Sequence, residues 1–414
     1  MPALFAQEEV VQEDISLDIQ EEPSDTQEET TLNIDSLFDD PSVEVFSEPD
    51  DTPINIRDKV LIEAAYGFFA GYSPGWDEVP WYDGDRTYSH LLGAKMDALL
   101  GLTIDLTDVF RVKNAFSFSV PDKAVFSIKE FYFEYDFLKK AFLQVGLYEI
   151  AWGISRFYPY TNLPARVPPG QDAGDAYIGR IKIPIGIGGL ELLTMTRYDF
   201  LKNKSSPTFE EFAYGAKYNL ILKGIDLDTG VYYYKDLPLF FFASLKTTLG
   251  NTELYAEGLA AVFHETWKEV RFSGNIGFVQ DFFKRKLSLA GEVFYNGESN
   301  SAWWRPKTEI LEEEAVDLFQ GLNGAFALII RPGIIGMRIF SQCLYSFDKN
   351  SAWLIPGISV SPRSQFTISL SVPMALGNRR TDRGNYYHNN IDKEDRPFSI
   401  VLGISFSGKF KYTL

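Results

Sequence analysis

The chain has 414 residues, of which 15% are aromatic, including 34 Phe and 22 Tyr. No run approaches the length of a membrane-spanning helix and the mean hydropathy is -0.12, which excludes a helical membrane protein but not a barrel, whose alternating strands average out. The net charge of -18 argues against nucleic-acid binding, and the single Cys343 excludes a disulfide framework.

The N-terminal region carries the charge. Residues 1–7 read Met-Pro-Ala-Leu-Phe-Ala-Gln and are predicted to be the remnant of a signal peptide, the alternative being a terminus without targeting meaning. Residues 8–55 hold 17 of the 57 Asp and Glu and no Lys or Arg, which leaves 40 acids against 39 bases elsewhere. We predict that 8–55 is a disordered periplasmic segment and that 56–414 forms one nearly neutral transmembrane β-barrel.

From Arg57 onward, alternating apolar runs are each closed by clusters of Gly, Pro, Asp, Asn or Lys. A strand places neighbouring side chains on opposite faces, so such runs predict strands with one apolar and one polar face. We predict eighteen strands, at residues 58–73, 88–104, 108–120, 124–137, 141–153, 176–187, 189–199, 208–222, 225–235, 238–249, 252–264, 269–282, 286–297, 322–331, 334–347, 352–361, 364–374 and 397–413.

The connections between these strands are sorted by length. Every second connection is a turn of a few residues, and the long connections fall in the other set, at residues 74–87, 154–175, 200–207, 298–321 and 375–396. Short turns on one rim and long loops on the other are typical of an antiparallel up-and-down barrel of the outer membrane, with both termini on the periplasmic side. The fold class is therefore predicted as all-β, with about eighteen strands; sixteen or fourteen are also compatible.

In the first half of the body, the polar face of the strands carries charge of both signs. These side chains are predicted to line a water-filled lumen, because a charge facing mid-bilayer would cost up to about 2–4 kcal/mol. One hypothesis is a transverse field that selects small polar solutes; the alternative is cross-strand ion pairs that brace the wall. The predicted pore-lining residues are Lys95, Asp97, Arg111, Lys113, Glu130, Glu134, Asp136, Arg180, Lys182, Glu191 and Arg197.

The segment from Leu143 to Arg166 carries the most specific local pattern. Its residues Gly146, Trp152, Gly153, Pro159, Asn162 and Leu163 form a strand-to-loop sequence that resembles a signature of bacterial outer-membrane porin-like families. In trimeric porins the third surface loop folds into the pore, and residues 154–175 are the third predicted surface loop. The resemblance implies that Arg156, Arg166, Asp172 and Asp175 lie near a constriction; an exposed loop stiffened by prolines is the alternative.

The last residues alternate almost without error, with Phe398, Leu402 and Phe406 on one parity and serines and lysines on the other. The predicted strand is long enough to cross a bilayer at a steep tilt. It resembles the assembly signal of outer-membrane proteins, which implies recognition by the insertion machinery. Such signals usually end on an aromatic residue, whereas Leu414 stands here.

We interpret the chain as a porin of the outer membrane of a diderm bacterium, which lets small solutes diffuse through a lumen constricted by residues 154–175. Its predicted partners are the lipid bilayer, small solutes and the assembly machinery; a homotrimer is compatible, and nucleic acid is not expected. We expect no enzyme activity, no cofactor and no metal, since His90, His264 and His388 lack triad or ligand spacing.

Two other functions remain open at this point. The first is a surface-exposed binding or structural protein, adhesin-like, which would use the loop at 298–321 with Trp303, Trp304 and Arg305. The second is a carrier of hydrophobic small molecules in which residues 8–55 form a plug. A conductance measurement separates a channel from the first, and deletion of 8–55 tests the second.

Overall fold

The structure is a computed structural model, and it describes residues 60–76, 88–120, 125–158, 161–166, 176–198, 207–235, 237–263, 270–297, 321–334, 336–347, 350–377 and 398–413. The acidic segment 8–55 and the predicted signal remnant 1–7 lie outside these residues, so both stay predictions. None of the helices in the described ranges has the length and apolar character needed to cross a membrane.

The described residues form twenty strand segments and two short 3-10 turns. The segments are β1 (Val60–Trp76), β2 (Tyr88–Thr107), β3 (Phe110–Val120), β4 (Val125–Asp136), β5 (Phe142–Leu147), β6 (Tyr177–Ile185), β7 (Gly188–Thr196), β8 (Ala213–Leu222), β9 (Ile225–Tyr233), β10 (Leu239–Leu249), β11 (Thr252–Val262), β12 (Val270–Phe282), β13 (Leu287–Asn296), β14 (Gly321–Ile330), β15 (Met337–Ser346), β16 (Ser351–Arg363), β17 (Phe366–Ser371), β18 (Met374–Gly377), β19 (Phe398–Ser399) and β20 (Val401–Thr413).

The sheet closes into a barrel. Each segment from β1 to β17 pairs antiparallel with the next, β17 pairs with β20, and β20 pairs with β1 over a register that includes Phe68 opposite Phe406. β17 and β18 both pair with β16, and β19 and β20 both pair with β1, so each couple is one interrupted strand. Counted this way, the described residues form the eighteen-stranded antiparallel barrel that the sequence predicts.

The outer face of the barrel is apolar, as the alternation predicts. On β20, Leu402, Ile404, Phe406 and Phe410 are exposed large hydrophobic side chains, whereas Val401 on the other parity is buried. The same division holds on β10, where Phe241 is exposed between buried neighbours. The exposed parity forms the surface that the sequence assigns to lipid.

The short turns and the seam lie on one rim. β1 begins opposite the end of β2, with Val60 in register with Ile104, and Leu61 pairs with Thr413 of β20. The β2–β3 turn follows within a few residues, at 108–109. The described ends of the chain therefore meet at the rim of short turns, as predicted.

Two strand boundaries were wrong by several residues: the predicted strand 208–222 begins only at Ala213, after a 3-10 turn at Phe209–Glu211, and the other error lies at the end of β5. The sequence predicts a strand at 141–153, but β5 ends at Leu147, and Tyr148 to Gly153 leave the barrel wall. The alternation continues past Leu147, with Trp152 on the same parity as the inward-facing Gln144, so the sequence extends the strand to 153. Trp152 is buried because the chain turns into the barrel at this point.

Candidate functional site

The chain that follows β5 lies inside the barrel. We call residues 148–158 and 161–166 the inward segment. Trp152 is 1% exposed, Tyr158 is 2% exposed and Leu163 is completely buried. These side chains belong to the same apolar cluster as the inner faces of strands from β4 to β15. The inward segment therefore fills part of the space that the barrel wall encloses.

Two glycines allow the chain to leave the wall and turn inward. Gly146 has φ of +150°, and a Cβ there would lie 2.2 Å from the carbonyl oxygen of Phe131. Gly153 has φ of +102°, a conformation that L side chains rarely adopt, and a Cβ there would lie 2.5 Å from Oγ1 of Thr161. Both positions belong to the motif that the sequence singles out.

Glu292 of β13 binds the backbone of the inward segment. Its carboxylate accepts hydrogen bonds from the backbone N–H groups of 156, 157 and 158, each at 3.2 Å. Ser155 Oγ donates to both carboxylate oxygens at 2.8 and 2.9 Å, and Tyr255 Oη of β11 donates at 2.9 Å. Glu292 is 3% exposed, so these donors take the place of water around its charge.

Glu257 of β11 binds the preceding residues in the same way. Its Oε1 accepts hydrogen bonds from the backbone N–H groups of Ile154 and of Ser155, the latter at 3.0 Å. Asn275 Nδ2 of β12 donates to the other oxygen of Glu257 at 3.4 Å and to the carbonyl oxygen of Tyr158 at 3.2 Å. The two buried carboxylates thus hold five consecutive backbone N–H groups, from 154 to 158.

Trp152 sits in a pocket on the strands that follow the inward segment. Its indole Nε1 donates to Glu191 of β7 at 2.9 Å, and Arg180 of β6 donates to the same carboxylate at 2.7 Å. Lys217 of β8 lies 5.8 Å from the centroid of the indole ring. Gly215 of β8 makes room for the ring, since a Cβ there would lie 2.5 Å from it.

Two arginines of the inward segment were predicted to lie near a constriction, and both are buried. Arg156 pairs with Glu253 of β11 at 2.7 Å, and its side chain is 1% exposed. The guanidinium of Arg166 lies 4.7 Å from the ring centroid of Phe240 on β10. The other two members of that set, Asp172 and Asp175, lie outside the described residues.

The predicted pore-lining residues form several ion pairs. On β2, Lys95 pairs with Asp97 at 3.4 Å. At β3 and β4, Glu134 lies 3.6 Å from Arg111 and 3.9 Å from Lys113. Arg111 also bonds Asp105, at 2.5 Å. Opposite charges on neighbouring strands are thus in contact along this part of the wall.

The remaining predicted pore-lining residues also contact or face residues of neighbouring strands and turns. Lys182 is in register with Glu191, which is itself paired with Arg180. Asp136 accepts a hydrogen bond from the backbone N–H of Lys139 at the β4–β5 turn, at 2.6 Å. Arg197 donates to the carbonyl oxygen of Pro164 at 3.0 Å, and Glu130 is in register with Ala115. Within the described ranges, no group of three or more His, Cys, Asp or Glu could hold a metal ion.

The interior is filled unevenly. On β10 to β14 the inward-facing residues are buried, among them Phe240, Ala261, Ala290 and Ala327. On β2 and β3 the inward-facing Lys95 and Lys113 keep 15% and 31% of their side chains exposed. The inward segment therefore packs against one side of the barrel, and solvent reaches the inner face of the other side.

The residues that bind the inward segment were missed at the level of sequence. Glu253, Glu257 and Glu292 share the inward parity of β11 and β13 with small or apolar residues, and Lys246 of β10 lies 3.8 Å from Glu253. The polar parity of β11 and β13 marks these three carboxylates in the sequence, as it marks the predicted lumen residues up to Arg197. It does not mark the inward segment as their partner.

No family model matches the chain, and no curated protein matches it. Solved structures do: OccK11 (OpdR) of Pseudomonas aeruginosa is 9% identical, with 84% of this chain and 96% of that chain covered at a TM-score of 0.50. OccK8 (OprE) of the same organism is 8% identical over 84% and 98%, with a TM-score of 0.49. A mutant of the Rh. blastica porin is 10% identical over 84% and 100%, with a TM-score of 0.44. At these identities the likeness is one of fold alone.

Proposed function

We propose that the chain is an outer-membrane porin, in which small polar solutes diffuse through the barrel and the inward segment narrows their path. The observation that carries the proposal is the attachment of the inward segment to Glu257 and Glu292 on the far wall. A loop that served only to bind a partner at the surface would have no need of buried carboxylate anchors inside the barrel.

The uneven filling of the interior supports a path rather than a plug. The inward segment packs on the side of β10 to β14, and the inner face of β2 and β3 keeps partly exposed charged and hydroxyl side chains. We propose that solutes pass between these two sides. An apolar exterior and the closed sheet support insertion in a membrane, because closure leaves no unpaired strand edge in lipid.

The predicted wall residues contribute balanced charge to this path. Because Arg111 and Lys113 contact Glu134, and Arg180 contacts Glu191, we propose that the wall braces itself through ion pairs and still presents both signs to a passing solute. The constriction would be formed by the inward segment, including Arg156, together with this wall.

A planar-bilayer recording of the purified full chain tests the proposal. We expect discrete, ohmic current steps in KCl from folded protein. In the variant Glu292→Gln, the amide oxygen still accepts from the N–H donors of 156 to 158, but the amide NH2 cannot accept, and the charge that raises each such hydrogen bond from about 1 to about 1.5–3 kcal/mol is lost. We expect a looser inward segment, seen as larger conductance and more open-channel noise.

The matched control is Glu63→Gln, which removes an acid from the seam of β1 and β20, where Glu63 pairs with Lys411 at 3.2 Å. It should leave conductance unchanged. Absence of current from folded wild-type protein would overturn the channel and favour a surface-binding role. Equal conductance of wild type and Glu292→Gln would leave a channel but remove the inward segment as its constriction.

A further inference from the structure

We infer that the inner face of β16, β17 and β20 is a track for small neutral polyhydroxylated solutes, such as polyols and monosaccharides. This inference rests on the proposed function as a channel and names the solute class that its wall would favour. The feature that carries it is a hydroxyl panel, defined by six inward-facing side chains on these three neighbouring strands: Ser359, Ser361, Thr367, Ser369, Ser405 and Ser407.

Strand pairing makes the panel one continuous surface. Ser359 is in register with Ser369 across β16 and β17, and Thr367 is in register with Ser405 across β17 and β20. Ser361 and Thr367 are 2.8 Å apart, oxygen to oxygen. Hydroxyls at adjacent positions on three strands can therefore hydrogen-bond to one solute molecule at the same time.

The panel lies on the inner face and is accessible. Its members alternate with the exposed outward residues Ile368, Leu370 and Ile404, so they share the opposite face. All of them are half-buried. This differs from β10 to β14, whose inward positions are covered by the inward segment.

Charge is excluded from the panel. Among the described residues of β16, β17 and β20, the inward parity carries charged side chains only near the end of β20, at Lys409 and Lys411, since Arg363 is in register with the outward-parity Phe366. The wall at β2 to β4, which begins on the other side of β1, carries charged residues at several inward positions, among them Lys95, Arg111 and Glu134. A solute that enters the barrel thus finds a charged sector and a neutral hydroxyl sector on either side of β1.

Hydroxyl side chains suit polyols for a physical reason. A Ser or Thr hydroxyl both donates and accepts, as a sugar hydroxyl does, so the panel can replace the water molecules that a polyol loses in a narrow passage. Each neutral hydrogen bond contributes about 1 kcal/mol or less net, which is weak enough for a solute to move from one site to the next. A charged solute gains no ion pair there.

Two inward-facing glycines beside the hydroxyl panel have no side chain that would project from the wall. A Cβ at Gly403 would lie 2.8 Å from Ser369 Oγ and 2.8 Å from the ring of Phe69. A Cβ at Gly357 would lie 2.3 Å from the ring of Phe340. Glycine at these two positions lets the rings lie against the wall, so that hydroxyls and ring faces share one shallow surface.

The test compares two solutes of similar size in liposome swelling. Sorbitol carries six hydroxyls, whereas glutamine is a zwitterion without hydroxyls. In the variant Thr367→Val with Ser369→Ala, Ser405→Ala and Ser407→Ala, we expect sorbitol entry to fall about fivefold, given about 1 kcal/mol for the net loss of such hydrogen bonds. The rate of glutamine entry and the KCl conductance should each change less than about twofold.

The control removes hydroxyls from the charged sector. Ser117 and Ser127 face each other across β3 and β4 with 2.6 Å between their oxygens, and Ser117→Ala with Ser127→Ala should leave the ratio of sorbitol to glutamine entry unchanged. Unchanged sorbitol entry in the panel variant, or an equal fall for both solutes, would overturn the track. Wild-type liposomes that admit neither solute and pass no KCl current would instead overturn the channel itself.

Discussion

Gly153 shows how a single residue decides the path of the chain. Its φ of +102° places it where a side chain is strained, and its missing Cβ leaves space for Thr161 and for the carboxylate of Glu257, 2.9 Å from the Cβ position. The residue that follows donates its backbone N–H to the same carboxylate. The conformation of Gly153 and the anchoring of the inward segment are therefore one feature.

Substitution of Gly153 tests this connection. We expect Gly153→Ala to displace the inward segment, because strain of about 1–3 kcal/mol adds to the overlap with Thr161. Limited proteolysis should then cut within 148–166, and conductance should rise. The matched control is Gly258→Ala on β11, where an added Cβ meets nothing within 4 Å. Equal protease resistance of the two variants would contradict the role of Gly153.

At the scale of elements, the β3–β4 hairpin concentrates the charge of the exposed wall. Arg111 and Lys113 of β3 both approach Glu134 of β4, and Arg111 also reaches Asp105 at the end of β2. The two basic side chains keep 40% and 31% of their surface exposed. They are thus in contact with acids and with solvent at once.

Charge reversal of this hairpin distinguishes a wall that selects ions from ion pairs that only stabilise the barrel. In Arg111→Glu with Lys113→Glu, the wall loses two positive charges and gains two negative ones, so the reversal potential across a KCl gradient should move toward cation selectivity if ions pass this wall. The control is Lys284→Glu with Arg285→Glu at the β12–β13 turn. Unchanged selectivity together with a lower unfolding temperature would assign the pairs to bracing alone.

The strands were predictable from the sequence and the inward segment was not. Alternation and turn residues are local, so they located eighteen strands and the exposed parity of β20. The departure at Leu147 depends on Glu257 and Glu292, which lie more than 100 residues further along the chain. No local pattern around Trp152 contains that information. The resemblance of 143–166 to a porin signature implied inward folding without giving the partners, and the constriction at Arg156 and Arg166 stays a prediction.

At the scale of the whole molecule, the neutral barrel and the acidic segment 8–55 are separate in composition. The barrel presents exposed apolar side chains around its wall, including Phe126, Leu192, Ile276 and Val293. In water such a surface would associate, so the molecule requires a bilayer or detergent.

Migration on a gel tests the assembled state. We expect unboiled protein in mild detergent to run as a compact species and boiled protein to run more slowly, since a closed sheet resists detergent until heated. Circular dichroism should show strand-rich secondary structure. Identical migration before and after boiling, with no strand signal, would contradict the closed barrel.

The seam between β1 and β20 joins residues from opposite ends of the described chain, as in the pairing of Leu61 with Thr413. Most other pairings are hairpins, whose loops close at little entropic cost, while the seam is the contact of greatest sequence separation. The hydrogen bonds from the inward segment to Glu257 and Glu292 span 102 to 137 residues, a separation between that of the hairpins and that of the seam. Folding would thus be ordered in time: hairpins first, then docking of the inward segment, and the seam last.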